Sequence, residues 1–201
     1  MDPVTILGAV GSVVGIAGFG LQLAQFLDTF IEGYASAPES LEAILETLYS
    51  TSEALEQVQE FLKREKKNVE QGGQPELFSA KALAQIRKTS DKCLKIFWKI
   101  EAVILRDSSS DLDDRISRRL VAFHAEIEAN RAQPVICLDT RLKLSSLMRW
   151  RWSFSISRKL DKHNDHLHRL QTTLILMFQV ISLQANLIKP YAALLYHPTI
   201  F

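Results

Sequence analysis

Basic residues are missing from the first third of this chain. Residues 1–62 hold nine Asp and Glu and not one Lys or Arg. The remaining residues hold 24 basic and 14 acidic side chains, so the two parts carry −9 and +10 although the whole is only +1. Two parts of opposite sign attract one another or each seek a different partner. The near-neutral total excludes a uniformly basic nucleic-acid binder. Glycine is absent after Gly73, a run of 128 residues. Tight hairpins need glycine or Asn at positive φ, so a β-rich domain is excluded there. Cysteine occurs only at Cys93 and Cys137, too few for a disulfide scaffold or a thiolate zinc cluster. Two lone cysteines fit a reducing compartment. Charged residues are 23% and hydrophobic residues 47%, an ordinary globular balance that excludes wholesale disorder. A length of 201 residues suits one domain, or two small ones.

What is present is helical periodicity, with proline as punctuation. Residues 38–70 carry Leu41, Ile44, Leu45, Leu48, Leu55, Val58 and Leu62 on one stripe. Ser36 is placed to cap this helix, Pro38 sits in its first turn, and Gly72-Gly73 stops it. Residues 76–106 repeat the pattern through Leu83, Ile86, Leu94, Phe97, Ile100, Ile104 and Leu105. Residues 112–132 present Ile116, Leu120, Phe123 and Ile127. A short helix over 139–150 and a long one over 155–188, ending before Pro190, complete the set. The fold class is all-α: an antiparallel bundle of five or six helices in a single domain over residues 1–201, with residues 1–33 as a glycine-rich hydrophobic helix and 34–201 as the remaining bundle.

The N-terminal stretch is the most informative. Residues 3–27 carry no charge. At about 1.5 Å per residue, 25 residues reach roughly 37 Å, more than the ~30 Å of a hydrocarbon core. Asp2 in place of a basic region argues against a secretory signal. Asp28 and Glu32, with no Lys or Arg nearby, argue against a permanent anchor. Gly8, Gly11, Gly15 and Gly18 fall within roughly 80° of one another at about 100° per residue, and Val10, Val13, Val14, Ala17 and Leu21 take the other side. Gly11 and Gly15 form a GxxxG pair. Each glycine costs about 0.8–1 kcal/mol of helix propensity against Ala, so four cost roughly 3–4 kcal/mol. Close contact with another helix backbone recovers such a cost. Two readings follow: a buried helix crossed by a neighbour, or a helix that leaves the bundle, self-associates through its glycines and enters a bilayer. One helix can do both in two states.

Other constellations have plainer readings. Asp111-Leu112-Asp113-Asp114 matches a DxDD string, but Asp111 is placed as an N-cap, with Asp111–Arg115 and Asp114–Arg118 as i,i+4 pairs. His163, His166 and His168 lie close together, and the first two share a face at i,i+3, yet no Cys accompanies them. His124 stands alone. No catalytic residue, metal site or cofactor is expected, and the chain reads as a non-enzyme. Residues 141–169 hold eight basic and two acidic side chains. Within them Arg149, Trp150, Arg151, Trp152, Arg158 and Lys159 make a basic-aromatic patch. It caps the bundle end or meets anionic lipid, where each Lys or Arg is worth about 1 kcal/mol. Nucleic acid ranks well behind both.

Met1-Asp2-Pro3, the uncharged Val/Gly/Ala-rich helix running into Leu21-Gln22-Leu23-Ala24-Gln25, and Ala37-Pro38-Glu39-Ser40-Leu41 together resemble the fungal HeLo-like N-terminal domain. Arg149-Trp150-Arg151-Trp152-Ser153-Phe154 followed by Lys159-Leu160, Leu167, Leu170 and Thr173-Leu174 is similar to that family's turn into its last long helix. The domain heads fungal NOD-like (STAND) receptors and opens an accessory protein of azaphilone pigment gene clusters. The resemblance implies a helical bundle of the cell-death type, whose glycine-rich first helix oligomerises and permeabilises membranes. No P-loop GxxxxGK[ST] and no amyloid-type motif occurs in this sequence. The expected function is therefore a domain that oligomerises and engages membranes, or else a soluble accessory protein of a secondary-metabolite cluster acting through protein contacts. The implied partners are a second copy or another helical protein and an anionic membrane surface, with no nucleic acid and no small-molecule substrate. The implied location is the cytoplasm, with recruitment to the plasma membrane on activation.

Overall fold

The computed structural model describes residues 3–32, 39–71, 80–104, 111–130 and 155–195. These form five α-helices: α1 Pro3–Glu32, α2 Glu39–Glu70, α3 Ala80–Ile104, α4 Leu112–Asn130 and α5 Ser155–Leu195. Among the described residues there is no strand. The protein is an all-α helical bundle. The Ser36 cap, the Gly72-Gly73 stop and the 139–150 helix lie outside the described residues.

The helix starts follow from local chemistry. Glu39 and Glu42 fill the first turn of α2, and Asp113 and Asp114 that of α4, where a negative charge complements the helix dipole. Pro3 begins α1, a position where its missing N–H costs nothing. One expected boundary is overturned: α5 continues through Pro190 to Leu195. A proline removes one N–H and crowds one carbonyl, which disfavours a helix without forbidding it.

Four helices form a ring. α1 packs on α2, α2 on α5, α5 on α3, and α3 back on α1. α1 and α5 are thus diagonal, as are α2 and α3. α4 packs outside this ring, against α1 and α3. The expected inward stripes are buried, save Leu45 and Leu120, which are half-buried, and Leu105, which lies outside the described residues. Ile44, Leu48, Leu55 and Leu62 of α2 and Ile86, Leu94, Phe97 and Ile100 of α3 have no exposed surface. α5 contributes Leu160, Leu167 and Leu174 at seven-residue spacing, the period of a helix seam.

α1 is apolar on nearly every side, as a helix with three neighbours must be. Val13, Ile16, Phe19, Leu23 and Leu27 are fully buried. Burying five such side chains is worth about 8–15 kcal/mol, comparable with the whole stability of a domain. Its solvent stripe is narrow: Gly18, Gln25, Thr29 and Glu32. Its tightest contact is at Gly20. A Cβ there would strike Ser52 Oγ of α2 and come within 2.7–2.8 Å of the Phe97 ring of α3. Neither neighbour gives way easily, since Ser52 Oγ donates to Leu48 O at 2.8 Å and Phe97 is fully buried against Phe19.

The two glycines differ in a way a melting curve reads. Gly18→Ala meets nothing within 4 Å and should gain about 1 kcal/mol of helix propensity. Gly20→Ala gains the same propensity but overpacks, and should lose about 1–3 kcal/mol. At roughly 2–4 °C per kcal/mol for a chain of this size, Tm should rise for the first and fall for the second. Equal shifts would show that α1 does not sit against Ser52 and Phe97.

Candidate functional site

The glycine face of α1 is divided between cover and solvent. Gly11 is buried beneath α4, with Ile127 Cγ2 3.6 Å from where its Cβ would stand, an ordinary contact distance. Gly15 is also buried. Gly18, one turn further, is exposed with open space around it. Gly8 lies in the first turns of α1, and its surroundings lie outside the described residues. The face is therefore covered by α4 at one end and bare at the other. Sequence reasoning missed Gly20, which projects to the opposite side. Its only signal was being out of register with the other four.

α1 is also the one described helix long and apolar enough to cross a membrane. Ala9–Thr29 spans 21 residues at a mean hydropathy of 1.6, and 61% of it is buried in the bundle.

The cover, α4, is held by polar contacts as well as by Ile116, Phe123 and Ile127. Arg119 Nη1 donates to Glu101 Oε2 at 2.9 Å, and its guanidinium lies 4.8 Å from the Trp98 ring. The Glu101 carboxylate is almost fully buried, so Arg119 neutralises a charge that would otherwise oppose folding. His124 Nε2 stands 3.1 Å from Asp91 Oδ1 of α3 without forming a hydrogen bond. Lys99 Nζ lies 2.7 Å from Asp113 Oδ1 and holds that carboxyl below its usual range.

The DxDD string works as a helix start. Arg115 N donates to Asp111 O at 3.0 Å, and Arg115 Nε lies 3.8 Å from Asp111 Oδ1. The expected Asp114–Arg118 pair is replaced. Arg118 Nη2 sits 3.9 Å from Asp111 Oδ2, while its Nε donates to Asp114 O at 3.4 Å. A guanidinium at the fourth position can reach both the cap carboxylate and the i−4 carbonyl.

His163 and His166 share a face as expected, opposite lysines of α3, with the Asp113 carboxylate of α4 also near His163. They border a cleft between α3 and α5 with Lys92, Lys95, Lys99 and Lys162. His168 is exposed. Among the described residues no group of three His, Cys, Asp or Glu is placed to hold a metal ion. Burial pushes the Cys93 thiol up to about 12, so it is no thiolate nucleophile at neutral pH. Arg149, Trp150, Arg151, Trp152 and Cys137 lie outside the described residues, as does the side chain of Arg158. Lys159 is exposed near the start of α5.

The cleft gives a pH dependence. Burial, then Lys99, Lys162 and His166, hold the His163 pKa below 6.5, against the pull of Asp113. The unfolded chain then binds more protons than the folded one below pH 6.5, so stability is full above that value and falls as pH drops through the folded pKa. Between pH 7.5 and 5.5 the loss in Tm should be smaller in His163→Gln than in the parent. An equal loss in both would place His163 in open solvent.

Compared with protein-family models, with curated proteins and with solved structures, the chain matches none of them.

Proposed function

We propose that this protein is a non-enzymatic bundle that oligomerises and engages membranes, with α1 as the segment that moves. The observation that carries the reading is the double character of α1. It is mostly buried in the bundle and also long and apolar enough to span a bilayer. The energetics favour a switch over a leak. Releasing α1 into water exposes side chains whose burial is worth about 8–15 kcal/mol, so release needs an apolar destination. A bilayer or a second α1 supplies one. The glycine face suits close helix contact, and α4 covers it at Gly11 in the resting bundle. This is the behaviour that the resemblance to the HeLo-like domain implies, and cytoplasmic residence with recruitment to the plasma membrane follows from it.

The second reading, a soluble accessory protein working through protein contacts, is favoured by a different surface. Leu176, Val180 and Leu183 lie at i, i+4 and i+7 on α5 and are each more than half exposed. Such a stripe suits a partner helix.

A crosslink separates the two. Ile127 Cγ2 lies close enough to the Gly11 position for Gly11→Cys with Ile127→Cys, in a Cys137→Ser background, to tie α4 over the glycine face. Dye-loaded vesicles of phosphatidylserine and phosphatidylcholine should leak with the reduced protein and stay sealed with the oxidised one. Leakage unaffected by the crosslink would remove α4 and the glycine face from the mechanism. A parent protein that never causes leakage would leave the accessory reading.

A further inference from the structure

The α3–α5 cleft holds more positive charge than the bundle uses. Lys92, Lys95 and Lys99 come from α3, and Lys162, His163 and His166 from α5, around a cleft of about 210 Å³. Among the described residues only Lys99 of these six stands within ion-pair distance of a carboxylate, that of Asp113. Asp113 occupies one of the three Lys99 donors and is itself mostly exposed. The stripe continues along α3. Lys81 and Lys88 fall within about 60° of Lys92, Lys95 and Lys99 at ~100° per residue, and both are exposed. The acidic half of the chain does not neutralise it. Among the described residues the one ion pair joining residues 1–62 to the rest is the local Glu60–Lys63 contact at 3.2 Å.

We infer that this cleft binds an anion bearing two or more phosphate groups. Three features select that chemistry. Lys92 and Lys99 are seven residues apart, about 10 Å along the helix axis, too far for one phosphate to bridge. The cleft is smaller than the ~300–1,000 Å³ pockets that enclose whole ligands, so the occupant presents phosphates to it and keeps its body outside. Its only ring side chains are the imidazoles of His163 and His166, with no Trp, Tyr or Phe, so it offers little stacking surface beside its charge, and a small phosphorylated anion fits better than a single-stranded nucleic acid.

His163 adds a pH response. It faces Lys99 and the other cleft lysines of α3, Asp113 of α4, and Lys162 and His166 of its own helix. The surrounding cations disfavour its protonation, and a bound phosphate opposes them. Binding therefore takes up a proton, and affinity rises as pH falls from 7.5 to 6. This site leaves α1 in its resting place and does not depend on the function proposed above.

Calorimetry with inositol hexakisphosphate tests the cleft on the intact chain. Lys95→Gln with Lys162→Gln should weaken binding by about tenfold or more, with the fold checked by melting. Lys63→Gln with Lys67→Gln removes the same charge from α2 and should leave affinity within about twofold, as distant screened charges do. The gain at pH 6 should shrink in His163→Gln. Vesicles identify the source: preference for a phosphoinositide over phosphatidylserine indicates a lipid headgroup, and binding of the soluble probe alone indicates a free anion. Either supports the site. Equal losses in the two double variants, tighter binding to an oligonucleotide, displacement of the probe by self-association of the protein, or no binding at all would overturn it.

Discussion

The bundle depends on how closely α1 can approach α2 and α3. At Gly20 the absence of a side chain lets the α1 backbone lie against Ser52 and the Phe97 ring. A larger residue would lift α1 from both neighbours and loosen Phe19, Leu23 and Leu27, which are buried on the same helix. The four-helix ring packs this tightly because this one position is empty. Two other glycines of α1 are under weaker constraint from the fold. Gly11 makes an ordinary contact and Gly18 makes none. Glycine at Gly18 therefore costs helix propensity with no return in the resting bundle, which turns attention to other states of α1.

α4 gains its meaning from that surplus. It stands outside the ring and is fastened to α3 by Arg119–Glu101 and Asp113–Lys99. These are polar contacts, whereas the seams between α2, α5 and α3 are mainly apolar. Lys99 takes part in the fastening of α4 and in the cleft toward α5. Lys99 has donors beyond the one that Asp113 takes, so the two roles can share one ammonium group.

Much of the fold was legible in the sequence because it rests on local periodicity. The stripes of Leu41 to Leu62 and Leu83 to Ile104 needed no knowledge of neighbours, and the missing glycine beyond Gly73 had already excluded hairpins. Pro190 was misleading because a proline fixes one residue, while the helix around it answers to many. The glycine face was readable as a face, but its partner was not. Ile127 lies more than a hundred residues from Gly11, and only the packing of α4 brings them together. The lysine stripe of α3 was equally visible as spacing. What the sequence could not supply was Lys162, His163 and His166 opposite it, a pairing made by the ring order and not by proximity along the chain.

That ring order divides the molecule into unequal blocks. α5 touches both α2 and α3, and α1 touches the same two from the far corner. Withdrawing α1 therefore breaks its seams with α2, α3 and α4 and spares three, leaving α2, α5 and α3 joined through the Leu160, Leu167 and Leu174 seam with α4 still on α3. α5 acts as the keystone of what remains. Such a molecule need not unfold all at once: it has a built-in fault line, with a remnant of α2, α3, α4 and α5 on one side whose empty corner is an apolar trough the length of a helix.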